Sequence, residues 1–276
     1  MPEIISLGGF NELVKAKYGW MIYNKNDTYI GSSIREYGEW SSEEIEIIKQ
    51  IVKPSDVVIE IGSNIGAHTV PIAQLVPEGF VYAFEPQNII FENLCANISI
   101  NSLTNCICEK FAFSENNNEI LCAPNSDFLK PENFGASVLE KSKNNFNYSV
   151  PVETLDNKFS DLQRLKLLKM DIEGMELNAL KGGENLIKRT QPFLYFENDR
   201  KGDNSRKVIE YLWNLDYKLY WHITRIFNEN NFFKNKKNIF DYQSSINMLG
   251  IPKKIDVDVQ LPFVEDSNFH PYWSKK

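Results

Sequence analysis

The clearest chemical signal in the sequence is a glycine-containing loop that follows a short apolar run, Val57–Ile61. The loop residues are Glu60, Gly62, Ser63, Asn64 and Gly66. Glycines allow a tight turn and a close approach of the backbone, and a helix after the turn offers free N–H groups to a ligand. The loop therefore predicts a cofactor site, although glycine turns also join strands to helices without any ligand. A dinucleotide loop of the Gly-x-Gly-x-x-Gly kind would space its glycines differently.

A second acidic residue, Glu85, follows the next apolar run, Phe80–Phe84, and precedes Pro86. It comes about 20 residues after the loop, where a carboxylate can accept hydrogen bonds from both hydroxyls of a ribose. The loop and this carboxylate together predict an adenosine-type ligand. They leave S-adenosylmethionine and a nicotinamide dinucleotide as alternatives, because both contain a ribose at that place.

A third acidic segment comes after the apolar residues 165–170. Asp171 and Glu173 follow this run, and Glu197 follows a later run at 193–196. Ligands of open α/β sheets bind at the carboxyl ends of the strands. The three carboxylates are therefore predicted to lie beside the substrate.

Each of these acids also has a structural interpretation. Glu197 is equally compatible with a pair to a basic neighbour such as Arg200, and Glu173 with holding its own loop through backbone N–H groups. Glu176 suits the first turn of a helix. Carboxylates also suit Mg²⁺, so a divalent metal is possible. Salt-bridged acids have the same sequence pattern, however, and we predict a site without a metal.

The segments that position these residues alternate between helix and strand patterns. Helices are predicted at 41–52, 67–75, 89–100 and 176–188, and strands at 57–61, 80–84, 106–113, 165–170 and 193–196. Such alternation predicts right-handed crossovers and a parallel sheet covered on both faces. The polar residues 123–148 are predicted to form an excursion between the third and fourth parallel strands, and 228–238 a loop between the last two strands.

Taken in order, these segments closely resemble the FkbM family of methyltransferases. The resemblance rests on residues 58–66, 84–86, 135–137, 152–156, 169–176, 194–197 and 247–252. It spans roughly residues 35 to 253. Glu60 stands where many relatives have Asp, and Ser63 where Ala is frequent, and neither difference threatens cofactor binding.

The resemblance implies an α/β, Rossmann-like class I methyltransferase fold with a seven-stranded, mostly parallel sheet whose last strand is antiparallel. It implies S-adenosylmethionine as methyl donor, S-adenosylhomocysteine as product, and oxygen nucleophiles as acceptors, often hydroxyls of sugars or natural products. The predicted cofactor contacts are Glu60, Gly62, Ser63, Asn64, Gly66, Thr69, Glu85, Pro86, Ala112 and Asp171.

Three residues are candidates for the chemical step. Methyl transfer from a sulfonium is an in-line displacement, and a neutral sugar hydroxyl is a poor nucleophile, so a base within reach would help. Asp171 is the first candidate, as base or as anchor for the acceptor, and Glu197 is the second. His222 is the third, although a buried structural histidine is the commoner case.

The function expected from these features is O-methylation of a sugar, a glycan or a glycosylated natural product. The alternatives are an N-methyltransferase or small-metabolite methyltransferase of the same fold, a nicotinamide-dependent oxidoreductase, and a binding module without catalysis. Five aromatic residues offer stacking surface for a sugar, although core packing is their more common use. They are Trp20, Tyr23, Trp40, Trp221 and Trp273.

Composition and charge narrow the partners. The 276 residues include 30 basic and 37 acidic side chains, a formal net charge of −7, which disfavours nucleic acid as a partner. No apolar run reaches the roughly 20 residues needed to cross a bilayer, and the first residues lack a secretory signal pattern. We therefore expect a cytoplasmic protein without stable membrane insertion.

Three parts of the chain are expected. They are an N-terminal extension (1–53) packed on the core, a cofactor-binding core (54–252) and a C-terminal tail (253–276) that docks through its aromatic residues. The four cysteines lack the paired spacing of a zinc site and are predicted to be buried free thiols.

Overall fold

The N-terminal extension contains a small antiparallel sheet and two helices in the computed structural model, which describes residues 2–117, 119–139, 146–199 and 203–272. Its elements are β1 (Ile4–Ser6), β2 (Asn11–Ala16), β3 (Gly19–Asn24), α1 (Ile30–Tyr37) and α2 (Ser42–Ile51). Helix α2 buries Ile45, Ile48 and Ile51 on one face, and acids occupy its first turn, where they complement the helix dipole.

Ten further strands follow along the chain. They are β4 (Val57–Ile61), β5 (Phe80–Phe84), β6 (Cys106–Glu109), β7 (Ala112–Phe113), β8 (Ile120–Pro124), β9 (Phe146–Glu153), β10 (Leu167–Met170), β11 (Phe193–Glu197), β12 (Tyr217–Arg225) and β13 (Ser244–Pro252). Seven of them form the central sheet in the order β12-β13-β11-β10-β4-β5-β6. Strand β13 runs antiparallel to both of its neighbours, and this confirms the predicted sheet.

Helices cover both faces of the central sheet. They are α3 (Thr69–Leu75), α4 (Asn88–Ile100), α5 (Leu155–Lys158), α6 (Glu176–Lys181), α7 (Glu184–Thr190) and α8 (Asp203–Asn214), with a 3₁₀ turn at Phe134–Ala136. Successive strand residues face opposite layers. On β4, Ile59 and Ile61 pack with the layer that contains α6 to α8, whereas Val58 packs with the layer that contains α2 and α3.

Two predicted elements are broken in the structure. The predicted strand 106–113 ends at Glu109, and Ala112–Phe113 pairs instead with β9 in a separate three-stranded sheet, β7-β9-β8. The predicted helix 176–188 is two helices separated by Gly182 and Gly183. A Cβ on Gly182 would lie 2.0 Å from the Ser114 carbonyl oxygen, so the break permits a close approach of two backbones.

The predicted excursion, 123–148, is partly regular. Strands β8 and β9 form its two ends and pair antiparallel, and the 3₁₀ turn lies between them. Residues 140–145 of the excursion lie outside the described residues. The run 228–238 contains no helix or strand and lies between β12 and β13, as predicted.

The tail runs beside β12. Trp221 N donates to the Pro262 carbonyl oxygen at 2.8 Å and Val264 N to the Leu219 carbonyl oxygen at 2.9 Å. The tail buries Val264, and its Phe263 and His270 rings pack edge-on against Tyr220 and Trp221, with ring centroids 5.3 Å and 5.1 Å apart. Phe263 and Tyr272 stay 51% and 65% exposed. Phe269 is 47% exposed, and Trp273 lies outside the described residues.

Two sequence expectations concern cysteines and membranes. Of the four free thiols only Cys122 is buried, and Cys95, Cys106 and Cys108 are half-buried, because they belong to α4 and the edge strand β6. Within the described ranges, the structure forms no helix long and apolar enough to cross a membrane.

The N-terminal sheet is attached to the core through Asn97 of α4, which is fully buried. Ile22 N donates to its Oδ1 at 2.7 Å, and its Nδ2 donates to the Ile22 carbonyl at 2.9 Å and to the Ile65 carbonyl at 2.8 Å. One amide therefore connects β3, α4 and the glycine loop. Buried polar groups of this kind stabilise a structure mainly when all of them are satisfied.

Replacing Asn97 with Ala is expected to lower the free energy of unfolding by about 3 kcal/mol, because one buried and two partly buried backbone groups lose their partner. Urea titration followed by circular dichroism measures the change. The matched control is Ser99→Ala, an exposed position of the same helix, which is expected to shift stability by less than about 0.5 kcal/mol. Equal stability of the two variants would contradict this account of the attachment.

Candidate active site

The glycine loop has a conformation that the end of β10 imposes. Gly62 has φ +80°, and a Cβ there would lie 1.8 Å from the Asp171 carbonyl oxygen. Both Gly62 N and Ser63 N donate to the Phe84 carbonyl at 2.9 Å. Asn64 also has a positive φ, 48°, which Asn tolerates better than most residues. Three strand ends therefore define the shape of the loop.

Glu85 fixes the loop from the other side. Its Oε2 accepts from Asn64 N at 3.0 Å and its Oε1 from Gln87 N at 2.8 Å. Its side chain is buried, and burial raises its pKa to about 7, against the lowering effect of these two hydrogen bonds. Each carboxylate oxygen retains a second lone pair, so Glu85 can still accept hydrogen bonds from two ribose hydroxyls.

A buried ion pair lies beneath the loop. Lys169 Nζ is 3.2 Å from Glu60 Oε1, with the side chains 3% and 1% exposed, and Thr69 Oγ1 donates to Glu60 Oε2 at 2.6 Å. Burial alone would lower the pKa of Lys169, but the charges of Glu60 and Asp171 outweigh it and raise that pKa. Both carboxylate oxygens of Glu60 thus have a protein partner.

A narrow apolar cleft lies on one side of the loop and of Glu85. Its walls include Ile61, Pro86, Gln87, Phe111, Ala112, Phe113, Ser137, Leu139, Ile172 and Met175. Apolar walls with a few polar groups suit a flat heteroaromatic ring. The predicted contacts Pro86 and Ala112 belong to this cleft.

A larger cavity of about 380 Å³ opens on the other side. Its lining includes Asn64, Asn133, Asp171, Glu173, Glu197, Asp199, Gln243, Ser244 and Ser245, with Tyr29, Trp40, Ile226 and Tyr272. The two spaces share Gly62, Glu85, Gly135, Asp171 and Glu173, so they form one continuous site. This order of surfaces suits a ligand that places an adenine in the apolar cleft, a ribose at the Glu85 carboxylate and an amino-acid chain in the polar cavity.

Four of the predicted cofactor contacts line neither the cleft nor the cavity and instead build the loop. Glu60 and Thr69 belong to the ion-pair network, and Ser63 Oγ donates to the Glu60 carbonyl at 3.2 Å. Gly66 donates to the Ser63 carbonyl at 2.9 Å, and a Cβ there would lie 2.9 Å from Leu94. Their contacts support positioning of the loop, and direct contact with a cofactor stays a prediction.

The acids at the ends of β10 and β11 meet in the larger cavity. Asp171, Glu173 and Glu197 each present an oxygen within 4.8 Å of the others. Burial raises the pKa of Glu197 well above its ordinary value, and the neighbouring Asp171 and Glu173 charges add to this. The predicted absence of a metal stays a prediction, because such a cluster can receive a cation or hold a proton. The predicted partner Arg200 lies outside the described residues.

Glu176 has the structural role that the sequence favoured. Its Oε1 accepts from Ile172 N at 3.3 Å and from Gly174 N at 3.2 Å, and it is the first residue of α6. It thereby holds the turn that carries Glu173, which has a positive φ of 56°. Glu173 itself lines the cavity.

His222 lies within β12 and does not line either space. Its Nδ1 is 2.8 Å from the Tyr195 hydroxyl, its side chain is buried, and burial lowers its pKa. The other two histidines are also buried. Burial and the Lys169 charge lower the pKa of His68 to about 3, and His270 Nε2 is 2.8 Å from the Asn198 carbonyl. These contacts favour structural roles for all three rings.

Sequence reasoning missed several residues of the cavity. The sequence predicts Glu44 only as an acid in the first turn of a helix. Its local sequence does not show that α2 directs this side chain to the cavity beside the cofactor loop. Gln243 to Ser245 precede or begin β13, and their position beside the site follows only from the strand order. Of the aromatic residues predicted to stack on a sugar, Trp40 is the one that lines the cavity among those the structure describes. Tyr23 and Trp221 are buried in the core.

Comparisons with known proteins identify the family of this chain. The methyltransferase FkbM domain model matches residues 60–219. The 2-O-methyltransferase NoeI of Sinorhizobium fredii (strain NBRC 101917 / NGR234) is 27% identical over 165 residues, which cover 55% of this chain and 67% of that protein.

Two solved structures are also similar. The methyltransferase FkbM from Methylobacillus flagellatus KT is 17% identical, with 72% of this chain and 44% of that chain covered and a TM-score of 0.47. M. jannaschii TYW2 in complex with AdoMet is 14% identical, with 90% and 88% covered and a TM-score of 0.45.

The chain therefore belongs to the FkbM methyltransferase family, and it is an S-adenosylmethionine-dependent methyltransferase. The predicted family, fold class and enzyme class are confirmed. Of the two ribose-containing cofactors that the sequence motifs left open, the family identifies S-adenosylmethionine.

Replacing Lys169 with Met is expected to lower the free energy of unfolding by about 3 kcal/mol, because Glu60 is left as a buried charge without its cation. The double variant with Glu60→Gln is expected to recover most of that loss. Thermal and urea unfolding measure both. Lys166→Met, on the same segment but half-exposed, is the control, and a double variant no more stable than Lys169→Met would contradict the pairing.

The affinity for S-adenosylhomocysteine is expected to fall about tenfold between pH 8 and pH 6. The free protein has a Glu85 pKa of about 7, and ribose hydroxyls bind the deprotonated form, so binding below pH 7 must first remove a proton. Calorimetry at the two pH values measures this. Glu85→Gln should abolish the pH dependence, and the exposed control Glu78→Gln should retain it. A Glu85→Gln profile identical to wild type would contradict the assignment.

Proposed function

We propose that this enzyme transfers the methyl group of S-adenosylmethionine to a hydroxyl of a sugar, a glycan or a glycosylated natural product. The observation that carries the proposal is the lining of the larger cavity. Carboxylate, amide and hydroxyl side chains face one space beside the cofactor loop. A polyhydroxylated acceptor needs many hydrogen-bond partners, and this lining supplies both donors and acceptors.

Aromatic side chains on the same cavity support this class of acceptor. Tyr29, Trp40 and Tyr272 contribute to its wall, and Tyr272 is 65% exposed. Aromatic rings offer flat apolar surface beside polar groups, which matches the apolar face and hydroxyl rim of a sugar ring. The relative named a 2-O-methyltransferase favours an oxygen over a nitrogen as the methyl acceptor.

The chemistry requires alignment and a route for one proton. The cofactor supplies an electrophilic methyl group on a sulfonium. Asp171 and Glu197 lie where two strand ends meet in the cavity and can orient the acceptor hydroxyl by accepting its hydrogen bond. As the oxygen–methyl bond forms, the sulfur–methyl bond would break to leave S-adenosylhomocysteine, and the hydroxyl proton passes to one of these carboxylates. Asp171 is the first candidate, because the raised pKa of Glu197 leaves that group protonated more of the time.

His222 is a weaker candidate for this proton. It contacts Tyr195 rather than the cavity, and its lowered pKa follows from burial. We propose that the contact between His222 of β12 and Tyr195 of β11 stabilises the sheet across β13, which lies between these two strands. Nucleic acid is a poor acceptor in this proposal, because the net charge is −7 and the cavity lining is acidic.

A panel of sugars, glycans and glycosides incubated with methyl-labelled S-adenosylmethionine tests the proposal. Transfer of label to a saccharide, with the methylated oxygen located by mass spectrometry, is the expected result. Label that appears only on amines or on small non-sugar metabolites would overturn the saccharide assignment and favour the alternative acceptors of the same fold.

With an acceptor from that panel, Asp171→Asn is expected to lower kcat at least about tenfold while S-adenosylhomocysteine binds with nearly unchanged affinity. The amide keeps the shape of the side chain and loses its ability to take a proton. Single-turnover methyl transfer and calorimetry measure the two quantities separately. The control is Asp161→Asn, an exposed acid outside the site, and unchanged turnover in Asp171→Asn would remove the residue from this role.

A further inference from the structure

The two ends of the chain, outside residues 60–219 of the family match, build one wall of the larger cavity. Tyr29, Trp40 and Glu44 come from the N-terminal extension, Gln243 and Ser244 from the point where the last strand begins, and Tyr272 from the tail. The residues within the family match hold the cofactor side and also bring Asp171, Glu173, Glu197 and Asp199 to the cavity. Among the described lining residues outside that match, Glu44 is the charged one.

Glu44 is a buried carboxylate, 4% exposed, that reaches this cavity from α2. Ser41 Oγ donates to its Oε1 at 2.6 Å, and the same Oγ lies 3.2 Å from Thr224 Oγ1. The charge of Glu44 acts on its surroundings, since it contributes to the raised pKa of Tyr195. The Ser41 hydroxyl holds the carboxylate in place.

The buried ammonium of Lys169 pairs with Glu60, and the charge of Glu44 also contributes to the raised pKa of Lys169. Its ammonium is 3.2 Å from Glu60 and only 3% exposed, behind the loop rather than on the cavity wall. Among the described residues that line the cavity, none is Lys, Arg or His. An acceptor in this space therefore meets the carboxylates of Asp171, Glu173, Glu197 and Asp199 as well as that of Glu44, together with neutral amides and hydroxyls.

We propose that the acceptor carries no negative charge where it enters this cavity, and that Glu44 selects a neutral or amine-bearing saccharide against uronic acids and sugar phosphates. The inference rests on the proposed function, because it concerns the same acceptor site. Hydroxyl and ammonium groups donate to a buried carboxylate, whereas an anionic substituent is repelled by it. At the effective dielectric of a partly buried site, one such repulsion weakens binding about tenfold or more.

Matched sugars that differ only in charge test the inference. We would titrate neutral, amino and uronic acid members of the gluco, galacto and manno series into the full chain complexed with S-adenosylhomocysteine, and follow binding by saturation-transfer NMR. The expected result is that the neutral and amino members of at least one series bind about tenfold more tightly than the uronic acid. Equal or tighter binding of the uronic acids overturns the inference, and so does the absence of binding by every sugar.

Two variants assign the discrimination to one residue. Glu44→Gln should bring the uronic acid to within about threefold of the neutral sugar, whereas Glu43→Gln, the exposed neighbour in the same helix turn, should leave the wild-type ratio. S-adenosylhomocysteine affinity confirms that each variant is folded. A folded Glu44→Gln protein with the wild-type ratio removes Glu44 from this role.

Methyl uptake tests the proposed function separately from the charge inference. Methylation of a uronic acid contradicts the charge inference and leaves saccharide methylation intact. Binding of neutral sugars without methyl transfer to any saccharide contradicts the proposed function and leaves the charge preference of the cavity intact.

Discussion

The buried pair of Glu60 and Lys169 sets the geometry on which the cofactor site depends. The two residues are direct partners in the register of β4 and β10, and each would be costly to bury without the other. Their alignment also fixes the positions of the residues just beyond the two strand ends. Gly62 is brought against the Asp171 carbonyl, and Asp171 N donates to the Ile61 carbonyl at 2.9 Å. The cofactor loop and the first candidate base are thus placed by the same pair of strands.

The sequence predicted the core well where one physical signal decided the structure. The buried strands β4, β5 and β11 are apolar on both faces, and Glu85 follows its strand at the spacing that a ribose requires. The errors occurred where contacts distant in sequence decided the outcome. Nothing local in 106–113 shows that Ala112 leaves the central sheet to pair with β9, and the break at Gly182 depends on the approach of Ser114. The identities of Gly182 and Gly183 were a signal for that break.

The site residues likewise separate into those that the sequence predicts and those whose position only the fold determines. Gly62, Asn64, Glu85, Pro86 and Asp171 line the cleft and the cavity because they follow strands whose ends must converge in a parallel sheet, whereas Ala112 reaches the cleft from β7 of the separate sheet. Glu44 was not found, since its position depends on how α2 packs and not on a motif. His222 was a plausible base from its residue type alone, and only the pairing of β12 with β13 shows that it faces Tyr195. Charge and residue type thus identify candidates, and topology decides among them.

The division of the cavity between the family domain and the chain ends has an evolutionary meaning. Substitutions at Trp40, Gln243 or Tyr272 would alter the proposed acceptor wall and leave the residues of the ion pair, the glycine loop and Glu85 unchanged. The geometry therefore allows the proposed acceptor wall to change while the cofactor loop keeps its contacts. A new acceptor preference can arise from substitutions in the two ends of the chain, and the centre can retain the same methyl donor.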